Sequence, residues 1–297
     1  MSEHPFMETS ELLKKVRKIE ISTKGLVNQI FSGEYHSVFK GRGMAFSEVR
    51  EYQFGDDIRT IDWNVSARFN HPYVKVYEEE RELTVILIVD VSGSGEFGSM
   101  HQLKKETAIE LCAVLAFSAL KNNDKVGVIA FSDIIEMFIP PKKGRTHVLR
   151  IIRELLDFKP VHMQTNISEG LRYLTSAIKK RSIAFLISDF LGKGYEDSLK
   201  IAAQKHDLIG VRIYDPREER IPPIGLMHLV DAETGKTIFV DTSDRKFQRH
   251  YVNWWKQKAE ERHKIFRRNG VDAIEIRTDQ SYIQPLINFF RAREKRW

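Results

Sequence analysis

Five residues of this chain have the types and spacing to do chemistry together: Asp90, Ser92, Ser94, Thr165 and Asp189. The first three form a D-x-S-x-S string directly after the apolar run 85–89, with Gly93 between the serines to permit a tight turn. Thr165 sits in Q-T-N-I-S-E-G-L, just ahead of a helical pattern, and Asp189 ends the apolar run I-A-F-L-I-S. Carboxylates and hydroxyls are hard oxygen donors. Such donors suit a small divalent cation, Mg2+ above all, with Mn2+ or Ca2+ as alternatives.

For those residues to meet, the elements that carry them must end at one edge. A strand that is apolar without alternation is buried on both faces, as in a parallel sheet. The spacing predicts strands at 83–90, 126–132, 182–188, 207–214 and 271–277. Helices are expected at 100–122, near 146–157, and at 167–180, 195–205, 244–269 and 280–292. Pro140-Pro141 marks an edge hairpin, and Glu233-Thr234-Gly235 the turn of a hairpin with strands near 226–231 and 237–241. Such alternation implies βαβ crossovers and an α/β fold, a doubly wound, mostly parallel sheet flanked by helices. Asp90 and Asp189 would then end neighbouring strands at the edge where open α/β sheets bind ligands, with Thr165 facing them from a helix N-terminus.

Ahead of this region, residues 1 to about 30 read as one amphipathic helix with Leu12, Leu13, Val16 and Ile19 on its apolar face. Residues 31–82, rich in Gly, aromatic and charged types, read as an irregular or small β module with strands near 44–53 and 72–80. The pattern changes near residue 80, so the chain divides into 1–81, the helix and β-rich extension, and 82–297, the α/β domain.

Composition narrows the function classes. Hydrophobic residues at 42% and charged residues at 30% over 297 residues fit a soluble globular chain. No apolar run approaches the roughly 20 residues that span a bilayer. The N-terminus has no secretory apolar core, and the single cysteine, Cys112, fits a reducing compartment, so the cytoplasm is the expected location. Much of the net charge of +6 comes from nine Lys and Arg between Arg245 and Arg268. No zinc-finger spacing or aromatic RNA-binding signature accompanies them, so they read as a solvated helix face rather than a nucleic-acid surface.

The order D-x-S-x-S, then Thr, then Asp resembles the metal-ion-dependent adhesion site of von Willebrand factor A domains. That resemblance implies Ser92 and Ser94 as direct ligands of Mg2+, Thr165 binding it directly or through water, and Asp90 and Asp189 acting largely through water. With few anions on the metal, an acidic side chain of a partner protein could complete its coordination. Upstream, V-R-E-Y-Q-F-G-D-D-I-R-x-I-D-W and Y-V-K-x-Y-E-E-E-R-E-L-T resemble the bacterial "domain of unknown function fifty-eight" family over about residues 30–240. The family couples this segment to a von Willebrand factor A-like domain, and the resemblance implies a MoxR-type AAA+ ATPase, or its client, as partner. Gly95 departs from the family pattern, which has Met there.

The function expected is therefore a non-enzymatic, Mg2+-dependent protein-interaction module. The alternative is an Mg2+-dependent phosphohydrolase with Asp90 as phosphoryl acceptor and Lys193 as anchor. Against it, Ser92 stands where a general acid is needed. Gly55, Asp56, Asp57, Arg59, Asp62 and Trp63 read as a turn followed by an Arg59–carboxylate network. Cys112 reads as a core thiol, and His162 and Asp133 as ordinary loop and strand-end residues. The G-R-G at 41–43 is no dinucleotide fingerprint, and the L-G-K-G at 191–194 is no Walker A loop.

Overall fold

Strand β3 (Thr84–Asp90) lies at the centre of the main sheet and shows why that sheet forms. Its residues alternate between two apolar cores. Val85, Leu87 and Val89 enter one, while Ile86 and Ile88 enter the other. All five are at most 2% exposed. Burying such a side chain stabilises by roughly 1.5–3 kcal/mol, which is why the run is apolar on both faces.

The computed structural model describes residues 14, 16–21, 23, 44–79, 83–98 and 102–296. In chain order, β1 (Met44–Glu51), helix α1 (Trp63–Phe69) and β2 (Tyr73–Glu79) precede β3. After it come α2 (Lys104–Lys121), β4 (Lys125–Phe131), β5 (Ile135–Lys142), α3 (Arg145–Asp157), α4 (Ile167–Ala177) and β6 (Ile183–Ser188). The chain continues through α5 (Glu196–Lys205), β7 (Asp207–Tyr214), the one-turn α6 (Pro216–Glu219), β8 (Leu226–Val230) and β9 (Thr237–Asp241). It closes with α7 (Arg245–Arg268), β10 (Asp272–Arg277) and α8 (Ile283–Glu294).

The main sheet has the order β10-β7-β6-β3-β4-β5, parallel throughout except for the antiparallel edge strand β5. This is the expected doubly wound α/β architecture. The strand order reverses between β3 and β6, the switch point at which such sheets open a crevice at their carboxyl ends. Asp90 ends β3 and Asp189 follows β6. Prolines 140 and 141 lie on β5, where an edge strand tolerates missing N–H donors.

Helix α2, expected over 100–122, is buried nearly all round. Every residue from Thr107 to Ala119 except Glu110 is buried, because α2 packs on one face of the sheet and is covered in turn by α3. Cys112 is fully buried there, as expected of a core thiol. On the opposite face, α7 is drawn tightly onto β7. A Cβ at Gly210 would come within 2.4 Å of the Phe266 ring, so only glycine admits that contact.

Upstream, β1 and β2 pair antiparallel, in the region expected to be β-rich. The sequence reading missed α1. Asp62 caps it, accepting from the N–H groups of Asn64 and Val65, and Asn70 ends it in the left-handed conformation. The anticipated Arg59–carboxylate network is also different: Arg50, on β1, forms the bidentate pair with Asp56, at 2.7 and 2.8 Å. Of the expected N-terminal helix, residues 16–21 are described and helical. Val16 joins the core beneath α2, and Glu20 pairs with Arg145 on α3. Leu12, Leu13 and the 41–43 glycines lie outside the described residues.

Candidate functional site

At the carboxyl edge between β3 and β6 the structure gathers Asp90, Ser92, Ser94 and Asp189. The Asp90 carboxylate accepts from the Ser92 N–H (3.1 Å) through one oxygen and from the Ser188 hydroxyl (2.6 Å) through the other. These bonds fix it at the strand end. The two serine hydroxyls lie 3.2 Å apart. Thr165 reaches the same crevice from the segment before α4, whose cap is Asn166. The 163–165 segment is tied down beside the serines, since the Gly93 N–H donates to the Met163 carbonyl (2.9 Å).

Asp189 is buried and bonded to the Lys104 ammonium at 3.0 Å, and Lys104 is itself only 4% exposed. The same ammonium meets Glu218, on α6, at 2.6 Å. Burial pushes the Asp189 carboxyl up, but the Lys104 charge and hydrogen bond outweigh it and hold its pKa below the ordinary value. Asp90 goes the other way. Crowding by protein atoms and then the Asp189 charge raise its pKa to about 6, against the pull of Ser188 and Ser92.

A fourth carboxylate completes the crevice. Glu233, at the turn of the β8–β9 hairpin, accepts from the Thr165 hydroxyl at 2.7 Å. It is half-buried, and its pKa is raised by that burial and by the charges of Asp189 and Asp231. The reading from sequence expected an outside carboxylate at this crevice and did not place Glu233 beside Thr165.

The residues present fit a hard divalent cation. Asp90, Ser94 and Thr165 keep part of their surface open, while Ser92 and Asp189 are buried behind them. Every side-chain donor is an oxygen. Among the described residues, neither Asp90 nor Glu233 has an ion-pair partner, so the crevice carries negative charge that Lys104 does not neutralise. Among the described residues there is also no group of three or more His, Cys, Asp or Glu side chains placed to hold a metal. The candidate centre is of another kind, with hydroxyls as numerous as the carboxylates beside them.

Four participants escaped the sequence reading: Ser188, Lys104, Glu218 and Glu233. Lys104 left a signal, because it lies four residues before Ala108 on the buried face of α2, an unusual place for a lysine without a partner. Ser188 left a fainter one, as the polar end of an otherwise apolar strand. Lys193, the anchor considered for phosphoryl chemistry, is exposed, and the lysine that contacts the acidic loop is Lys104. His162 meets Asp133 at the rim, 3.0 Å away. Beside Ser94 and Glu233, a cleft of about 690 Å³ runs between the hairpin and α7, lined by Phe97, Met227, Leu229, Trp254 and Trp255 among others.

An uncharacterized protein of Mycobacterium tuberculosis is 26% identical over 295 residues, 97% of this chain and 92% of its own length. A second uncharacterized protein, from Bacillus subtilis, is 28% identical over 109 residues, 37% of this chain and 25% of its own. Among solved structures, an aerotolerance-related membrane protein from Bacteroides fragilis aligns with TM-score 0.49 and 16% identity, over 71% of this chain and 99% of that one. The VWA domain of SpRpn10 aligns with TM-score 0.39 and 14% identity, over 70% and 94%. The fold rests on the strand order given above rather than on these distant likenesses. No helix among the described residues is long and apolar enough to cross a membrane. The family model described as "Protein of unknown function DUF58" matches residues 48–263, through the hairpin and into α7, and the chain belongs to that family.

Proposed function

We propose that this chain is a protein-interaction module whose crevice binds a divalent cation, Mg2+ first, through Ser92, Ser94 and Thr165, with Asp90 and Asp189 in support. The observation that carries the reading is the convergence of these five oxygen-bearing side chains at the switch point of the sheet. A bound cation would supply an electrophilic centre for an acidic side chain of a partner. The chain's residues do the rest. Ser188 and the Ser92 N–H hold Asp90 in place, and Lys104 keeps Asp189 ionised.

Among the described residues, both Asp90 oxygens are engaged by their own neighbours rather than free to act as a general base. This supports binding over turnover. A MoxR-type AAA+ ATPase, or its client, is the first partner to test, because the sequence resembles the family for which that association is implied.

Affinity capture tests the proposal. With the full chain as bait, partners should be retained in Mg2+ and released by EDTA, and Asp90→Ala should retain none while keeping its circular dichroism. Equal capture by wild type and Asp90→Ala, insensitive to EDTA, would refute it.

A further inference from the structure

The β8–β9 hairpin is hydrogen-bonded as a two-stranded ribbon of its own, outside the main sheet. Such ribbons are marginal alone, so what holds the hairpin down matters. At its base, Thr242 bonds the backbone of Gly225 and Ile224, and Gln248 of α7 donates to the carbonyls of Thr242 and Ile221. In between lies the cleft against α7, and Leu226, Val230, Ile238 and Phe239 are all more than half exposed. The tip is seated on the crevice. The Ala232 carbonyl sits where a Cβ on Gly93 would approach to 2.4 Å, so glycine at 93 is what lets the tip come down.

The tip is also built to present one side chain. Asp231 accepts from the N–H groups of Glu233 and Thr234, both at 2.9 Å, and this fixes the turn from which Glu233 reaches Thr165. A carboxylate brought toward Asp189, whose charge repels it, is there against electrostatics unless positive charge compensates it.

We propose that Glu233 is the chain's own carboxylate for the cation crevice, occupying the place beside Thr165 that a partner's acidic side chain would take. The inference rests on the cation-binding reading above. It adds that the hairpin tip is the incumbent ligand, and that a partner gains the crevice by lifting it.

Mn2+ alone serves as the probe, titrated by calorimetry into the full chain as wild type, Glu233→Gln and Asp90→Asn, with hydrogen exchange followed at residues 231–236. Groups lost from a metal's surroundings typically weaken binding 10–100-fold, so Glu233→Gln is expected to bind Mn2+ about tenfold more weakly. Mn2+ should slow exchange at 231–236 in wild type and not in Glu233→Gln. Added acetate, a free carboxylate, should recover part of the affinity in the variant only. If Asp90→Asn loses binding while Glu233→Gln binds as wild type does and wild-type exchange at 231–236 ignores Mn2+, the hairpin inference falls and the cation site stands. If wild type binds no Mn2+, or Asp90→Asn binds it equally well, both fall.

Discussion

Two clusters of charge lie on neighbouring strands of the main sheet, and they are built on opposite principles. Under α7, Arg212 and Arg262 meet Glu219 and Glu275, with contacts of 2.7 Å (Arg212–Glu219) and 2.9 Å (Arg262–Glu275). Arg212 also lies over the Tyr214 ring at 4.1 Å. Two positive charges face two negative ones. In the crevice, by contrast, Asp90, Asp189, Glu218 and Glu233 gather near the Lys104 ammonium, which among the described residues pairs with Asp189 and Glu218. Helix α6 joins the two: of its consecutive glutamates, Glu218 turns to Lys104 and Glu219 to Arg212. The first cluster pairs its charges within itself, with the Arg212 Nε left without a hydrogen-bond partner among the described residues. In the second, among the described residues, Asp90 and Glu233 have no ion-pair partner, and the proposed cation would offset their charge.

The largest effects should come from unbalancing either cluster, and rescue should tell them apart. Glu275→Ala strands Arg262, which is 4% exposed, without its partner. Glu275 is 38% exposed, so water screens that pair and its loss costs about 1 kcal/mol. Lys104→Met strands the buried Asp189 and should cost about 3 kcal/mol in EDTA. Chemical denaturation should show Mg2+ restoring part of the loss in Lys104→Met and none in Glu275→Ala. Equal responses to Mg2+ would erase the distinction.

His206 gives a response to acid that involves neither cluster. It is 1% exposed, neither ring nitrogen has a hydrogen-bond partner among the described residues, and burial, then the charges of Lys205 and Arg181, lower its pKa to about 4. The folded pKa lies below the unfolded 6.5, so the unfolded chain binds the proton first. Stability therefore falls as pH drops from about 6.5 to about 4, by up to about 3 kcal/mol from this group. His206→Leu should flatten that part of the stability–pH curve in denaturant titrations.

The smallest effect has the opposite sign. Asp90→Asn removes one of the crowded carboxylates, and in EDTA at neutral pH it should stabilise the chain by on the order of 1 kcal/mol, because functional sites hold unfavourable charge. A matching substitution in the balanced cluster should only destabilise. A loss of stability in Asp90→Asn would mean that the crevice is a structural network like its neighbour.

What the sequence disclosed follows from how far apart in the chain the determining contacts lie. β3 and β6 were legible because burial on both faces leaves an unbroken apolar run, and Asp90 and Asp189 because they end those runs. Thr165 was legible by its place before a helix. Lys104 reaches Asp189 across 85 residues and Glu233 reaches Thr165 across 68, and no local spacing says which turn will fold over the crevice. Helix α1 was hidden for another reason: its seven residues are too few for a periodic pattern, and only the cap at Asp62 marked it.

The central claim is that the crevice binds a divalent cation, and thermal unfolding in EDTA and in excess Mg2+ tests it most directly. A ligand at a hundred times its Kd stabilises by about 2.7 kcal/mol, so the melting temperature of wild type should rise by several degrees in Mg2+. That of Asp90→Asn should not move. Identical melting of wild type with and without the metal would contradict the account.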